Sequence, residues 1–141
     1  MKREFENYLC IQKPMGDSLA LGSHILMDFC KYDPSIENDG LEILKILRAA
    51  VKKSGVREVH SHVEEFDGTI SPVGFASVVL IDESHITAHC YSERGILAID
   101  VFTCGPNSPD KIAHEVHNSL KLLSPNIELI SSKKIERFVF G

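Results

Sequence analysis

The chain has 141 residues, 43% hydrophobic and 25% charged, an ordinary balance for one globular domain with a single core. A formal net charge of −5 without a basic stripe argues against a nucleic-acid binder, and no apolar run approaches the roughly 20 residues that span a bilayer. The charged start MKREFENYLC lacks the apolar centre of a signal peptide, which predicts a cytoplasmic protein; its four cysteines, none in C-x-x-C spacing, are then free thiols.

In chain order, residues 1–22 end in turn-forming PMGDS and a short apolar run, and are read as an N-terminal extension to one domain over 23–141. SHILMDFC has strand composition, and KYDPSIENDG is a loop. Ile43, Leu44, Leu47, Ala50 and Val51 recur at three- and four-residue spacing, so an amphipathic helix is expected over 40–54, with Asn38 or Asp39 as N-cap and Gly55 as the stop. REVHSHVEEF alternates as a half-exposed strand, DGTISP turns, and GFASVVLID is rich in β-branched residues. SHITAHCY, a turn at SERG and GILAIDVF read as a hairpin. Ser108, Pro109 and Asp110 suit the start of a second helix whose Ile112, Val116, Leu120 and Leu123 share a face, and Pro125 ends it. The tail IELISSKKIERFVF supplies one or two short strands. This order predicts an α+β two-layer sandwich, a mainly antiparallel sheet with two helices on one face.

The stretch ESHITAHCY, residues 83–91, carries more reactive groups than a core strand needs. His60 and His62, His85 and His89, and His114 and His117 are spaced as metal-ligand pairs, yet no carboxylate or cysteine completes a set of three or four, so no metal is expected. Ser84 has no Gly-x-Ser-x-Gly elbow. His85, its neighbour, and His89 both fall on the opposite face of a regular strand from Ser84. Two readings therefore stand: Ser84, Thr87 and His89 are the solvent side of an edge strand, with Cys104 a packed thiol, or the strand holds a site. The residues alone do not choose a reaction.

Residues 72–105, PVGFASVVLIDESHITAHCYSERGILAIDVFTCG, resemble the core of the prokaryotic S-adenosylmethionine decarboxylase proenzymes. Glu83, Ser84, His85, Thr87, His89, Glu93, Asp100, Phe102, Thr103, Cys104 and Gly105 match the family's motifs in type and spacing, and weaker similarity runs from Ser23 to about residue 124. The resemblance implies a self-cleaving zymogen cut at Glu83–Ser84 into a β chain, 1–83, and an α chain, 84–141. The new N-terminal residue becomes a pyruvoyl group, the cofactor, which forms a Schiff base with the substrate amine. Ser84 is then the precursor of that group, His89 assists processing, Cys104 is the proton donor, and Glu93 binds ribose. A bend or bulge in the strand is expected, to bring His89 to residue 84. The family also implies a homodimer with active sites near the interface, and a product used in spermidine synthesis.

Five positions depart from the family, Cys90 in place of a Thr among them. Tyr91 replaces a Trp, Ser92 a Pro, and Ile70 an aromatic, with Phe66 nearby; the aromatics at 70 and 91 normally sandwich the adenine. Ala76 replaces a Ser that helps processing, and Ser77 is expected on the other face. These departures keep open a basic amino acid, ornithine or arginine, as the substrate, and an uncleaved regulatory subunit as the role.

Overall fold

The computed structural model describes residues 20–139. Strands β1 (Ala20–Cys30), β2 (Glu58–Phe66), β3 (Gly74–Ile81), β4 (Ser84–Tyr91), β5 (Ile96–Cys104) and β6 (Glu128–Val139) form one sheet in the order β2-β3-β4-β5-β1-β6. Every neighbouring pair is antiparallel. Helices α1 (Asp39–Ser54) and α2 (Pro109–Leu123) cover one face, giving the expected two-layer α+β architecture.

Local chemistry sets both helices. At the end of α1, Gly55 takes the left-handed conformation, φ 79°, and its N–H returns to the helix carbonyls, as a C-terminal glycine does. Ser108 caps α2 by accepting from the Asp110 N–H, and Pro109 occupies the first turn, where its missing N–H is no loss. The inward stripes of Ile43 and Leu47, and of Ile112 and Val116, join Ile99 and Val101 of β5 in one core, all fully buried. Each such side chain contributes about 1.5–3 kcal/mol on burial.

Three details differ from the sequence reading. β1 opens at Ala20, three residues ahead of Ser23, and the Leu21 carbonyl accepts from the Gly105 N–H at 2.9 Å, so the sheet reaches into the segment read as an extension. The tail is one twelve-residue strand. β4 lies inside the sheet rather than at its edge, which removes the edge-strand reading.

Among the described residues, no helix lies on the second sheet face. Residues paired across antiparallel strands project to the same side, so the register sorts this open face into rows. One row runs His60, Leu80, His85, Phe102, His24, Ile135; the next His62, Val78, Thr87, Asp100, Leu26, Lys133; the next Glu64, Ala76, His89, Ala98, Asp28, Ser131. A shorter row holds Phe66, Gly74, Tyr91 and Ile96.

Candidate active site

The β3–β4 hairpin closes on the Ile81–Ser84 pair, leaving Asp82 and Glu83 as its two turn residues. Two-residue hairpins favour turns whose first residue is left-handed. Here it is the second: Glu83 has φ 60°, a conformation that costs a non-glycine residue on the order of 1–3 kcal/mol. The strained residue supplies the carbonyl of the Glu83–Ser84 bond. The Arg57 guanidinium grips the Asp82 carboxylate at 2.5–3.1 Å and holds its pKa below the ordinary value, while the Asp82 N–H bonds back to the Arg57 carbonyl at 3.3 Å. The turn is thus anchored on both sides of its first residue.

Ser84 is 8% exposed, and among the described residues its Oγ is buried without a hydrogen-bond partner. An unpaired buried hydroxyl costs about 1–3 kcal/mol, so it is a group to be explained. β4 and β5 pair with His85 opposite Phe102. One further step along that register brings Ser84 beside Thr103, with its backbone within about 6 Å of that of Cys104. Cys104 is half-buried at the end of β5, opposite Gly22, where an added Cβ would lie 3.3 Å from the Cys104 sulfur. A glycine leaves the thiol its space.

His89 stands elsewhere. Between His85 and Tyr91, β4 keeps unbroken register with both neighbours, so the expected bend is absent. Five extended residues separate Ser84 from His89 by about 17 Å, and the two face opposite sides of the sheet. His89 is exposed and lies directly opposite Ala76, while Ser77 turns into the core, 4% exposed, as expected. His89, Ala76 and Tyr91 line a cleft of roughly 200 Å³ together with Phe66, Ser71 and Pro72. Ile70 is outside that lining and 98% exposed. Glu93, in the turn after β4, lines a separate hollow with Lys31, Arg94 and Glu128. The structure thus places Glu83, Ser84 and Cys104 at one end of β4, Ser84 on the helix-covered side of the sheet and Cys104 on the open side, and His89 with Tyr91 at the other end.

Between these groups lies a polar cluster that sequence reading missed. Thr87 donates to Asp100 at 3.1 Å, His24 approaches the same carboxylate at 3.7 Å, and Arg137 reaches the His24 ring at 3.3 Å and sits over Phe102. His85 packs edge-on against His24, and burial, aided by His24, pulls the His85 pKa down. These residues come from four strands, so only the register brings them together. Among the described residues, no three His, Cys, Asp or Glu side chains converge as a metal site would require.

A family model described as S-adenosylmethionine decarboxylase matches residues 23–132. The chain belongs to the S-adenosylmethionine decarboxylase family. The S-adenosylmethionine decarboxylase proenzyme of Thermodesulfovibrio yellowstonii is 38% identical over 94 residues, 67% of each chain. That of Persephonella marina is 35% identical over 117 residues, 83% of this chain and 82% of its own. The crystal structure of the Aquifex aeolicus adenosylmethionine decarboxylase superposes with a TM-score of 0.66 at 28% identity, covering 88% of this chain and 96% of the other. That match bears out the α+β fold. Set beside the family's pattern, this S-adenosylmethionine decarboxylase family member keeps Glu83, Ser84, His89 and Cys104 and departs at Ala76 and Tyr91 in the cleft and at Ile70 outside it.

Proposed function

We propose that this chain is a self-cleaving decarboxylase proenzyme. It cuts its own Glu83–Ser84 bond, converts residue 84 to a pyruvoyl group and then removes the carboxylate of S-adenosylmethionine as carbon dioxide, a product suited to aminopropyl transfer in spermidine synthesis. The observation that carries this reading is Ser84 itself, a buried hydroxyl without a partner among the described residues, next to a left-handed residue at the bond to be cut.

In the processing step, Ser84 Oγ attacks the Glu83 carbonyl carbon, the peptide C–N bond breaks, and the proton passes to the freed amine. Loss of the residue 84 α-proton then expels the Glu83 carboxylate. Water adds to the enamine left behind and ammonia departs, leaving a ketone. Release of the turn strain favours the forward direction. The ketone supplies a carbonyl that captures the substrate amine and accepts the electron pair freed by carbon dioxide. Cys104, at the same end of β4, holds the proton returned to the substrate carbon.

His89 cannot serve residue 84 of its own strand, given about 17 Å of extended chain between them. A second copy packed on the open sheet face supplies it, so that the working unit is a homodimer of processed chains. Release of labelled carbon dioxide from carboxyl-labelled S-adenosylmethionine, set beside labelled ornithine and arginine, tests the activity. Release from an amino acid alone would move the substrate to a basic amino acid, and loss of release in Ser84→Ala is expected. One observation favours a second role, that of an uncleaved regulatory subunit: Ala76 offers His89 a methyl group where a hydroxyl would help processing.

A further inference from the structure

The turn that carries the Glu83–Ser84 bond has an unfavourable shape for its length. Both turn types that match the twist of a two-residue hairpin need a left-handed first residue. Asp82, the first residue, has no positive φ, whereas Glu83 after it has φ 60°. A contact from outside the hairpin is needed to hold this arrangement.

The neighbouring strand supplies one. Along β2 and β3 the register pairs Ser61 with Val79 and His60 with Leu80, and the same count would set Glu58 opposite Asp82 and Arg57 opposite Glu83. Instead the ladder shifts by one residue at Val59, so Glu58 faces Ile81 and Arg57 comes level with Asp82. The extra residue of a bulge re-aims the chain beyond it. Here it brings both the backbone and the side chain of Arg57 to one residue of the turn. The Asp82 N–H bonds the Arg57 carbonyl at 3.3 Å, and the guanidinium donates to the Asp82 carboxylate, at 3.0 Å from Nε and 2.5 Å from a terminal nitrogen. Arg57 is itself fixed from behind, since the Val56 N–H returns to the Val51 carbonyl at the end of α1 and Val56 is buried.

This grip adds little to folding. The two side chains are 72% and 46% exposed, and exposed ion pairs contribute little to stability. Neither residue lines the cleft beside His89.

We infer that Arg57 is a positioning residue for self-cleavage: by fixing Asp82 it keeps Glu83 in its strained conformation, with the carbonyl carbon presented to Ser84 Oγ. This rests on the proposed cut at Glu83–Ser84. Once that bond is broken the turn no longer exists, so Arg57 matters to processing and not to decarboxylation.

The test follows freshly translated, labelled whole chain on denaturing gels. Arg57→Ala and Asp82→Ala each slow loss of the whole chain by roughly 10- to 100-fold, as expected when reacting groups are displaced by about 1 Å. The double variant is no slower than either alone, because both substitutions remove the same contact. Arg57→Lys, which keeps the charge without the planar fork, falls between. Arg48→Ala breaks the Arg48–Glu58 pair at the same strand start, which does not touch the turn, and leaves the rate within about twofold. In a Ser84→Ala background, which does not cut, Arg57→Ala melts with its parent. Arg57→Ala chains that have finished processing release carbon dioxide with unchanged kcat and KM. An unchanged cleavage rate in Arg57→Ala, additive losses in the double variant, or an equal loss in Arg48→Ala would overturn the inference and leave the cut itself in place. If the wild-type chain never cleaves, the proposed function fails and the role of Arg57 with it.

Discussion

Ala76 and His89 face each other on neighbouring strands of the open sheet face, a methyl group opposite an imidazole. A serine at 76 would set a hydroxyl within reach of that ring, where a positioned donor or acceptor can assist proton transfer. Ala76→Ser is therefore expected to speed self-cleavage by roughly 10- to 100-fold, at the low end of what such groups supply. Following loss of the whole chain on a denaturing gel checks it, and an unchanged rate would remove the Ala76–His89 pair from the account of processing.

The two ends of β4 predict different defects. His89→Ala leaves the chain whole, because removal of the residue 84 α-proton loses its base. Cys104→Ala still cleaves, yet releases carbon dioxide at least about 100-fold more slowly, since a thiol that returns a proton acts only after the group has formed. Gels and labelled carbon dioxide on the two variants separate the roles. Normal cleavage in His89→Ala, or full decarboxylation in Cys104→Ala, contradicts the assignment.

Cys90 and Cys104 should differ in reactivity. Burial pushes the Cys90 thiol up to about 11, the Ser92 hydrogen bond only partly offsetting it, whereas Cys104 is half-exposed at a strand end. The thiolate is the reactive form, so near pH 8 an alkylating agent should label Cys104 well before Cys90. Mass mapping of the labelled peptides decides it; equal labelling of both in the folded chain would contradict the packing of β4.

Acid sensitivity has an identifiable source. Burial holds His85 and His117 below their ordinary value of 6.5. The unfolded chain therefore binds more protons as the pH falls below 6.5. The stability these neutral rings contribute is complete above that value and is lost as the pH drops through their folded values. His117→Gln is expected to flatten the fall in melting temperature between about pH 7 and pH 5. Parallel curves for variant and wild type would contradict this.

Gly74→Ala tests how closely β3 packs against β4. Its Cβ meets the Cys90 carbonyl, so the strand pair must part, and a loss of about 1–3 kcal/mol in urea unfolding is expected. A variant as stable as wild type would show that β3 and β4 are not so closely apposed.

Much of this fold is legible one segment at a time. The stripe from Ile43 to Val51, Gly55 as the stop, the Ser108-Pro109-Asp110 start and the alternation of SHITAHCY each carry their own period or cap. Ser84, His89 and Cys104 are legible through spacing within a motif. What the motif conceals is distance across a strand: Ser84 and His89 look adjacent in sequence, yet an unbroken register holds them apart. The His24–Asp100–Thr87–Arg137 cluster was hidden for a related reason, since its members meet only when strands distant in sequence are paired.

The most direct test of the central claim is the mass of the purified protein after prolonged incubation, wild type beside Ser84→Ala. The account predicts two wild-type pieces, residues 1–83 ending in a free carboxylate and a piece starting at residue 84 that is lighter by one ammonia than a serine-initiated chain, with Ser84→Ala intact. A wild-type chain that stays whole, or a second piece that begins with an ordinary serine, would contradict it.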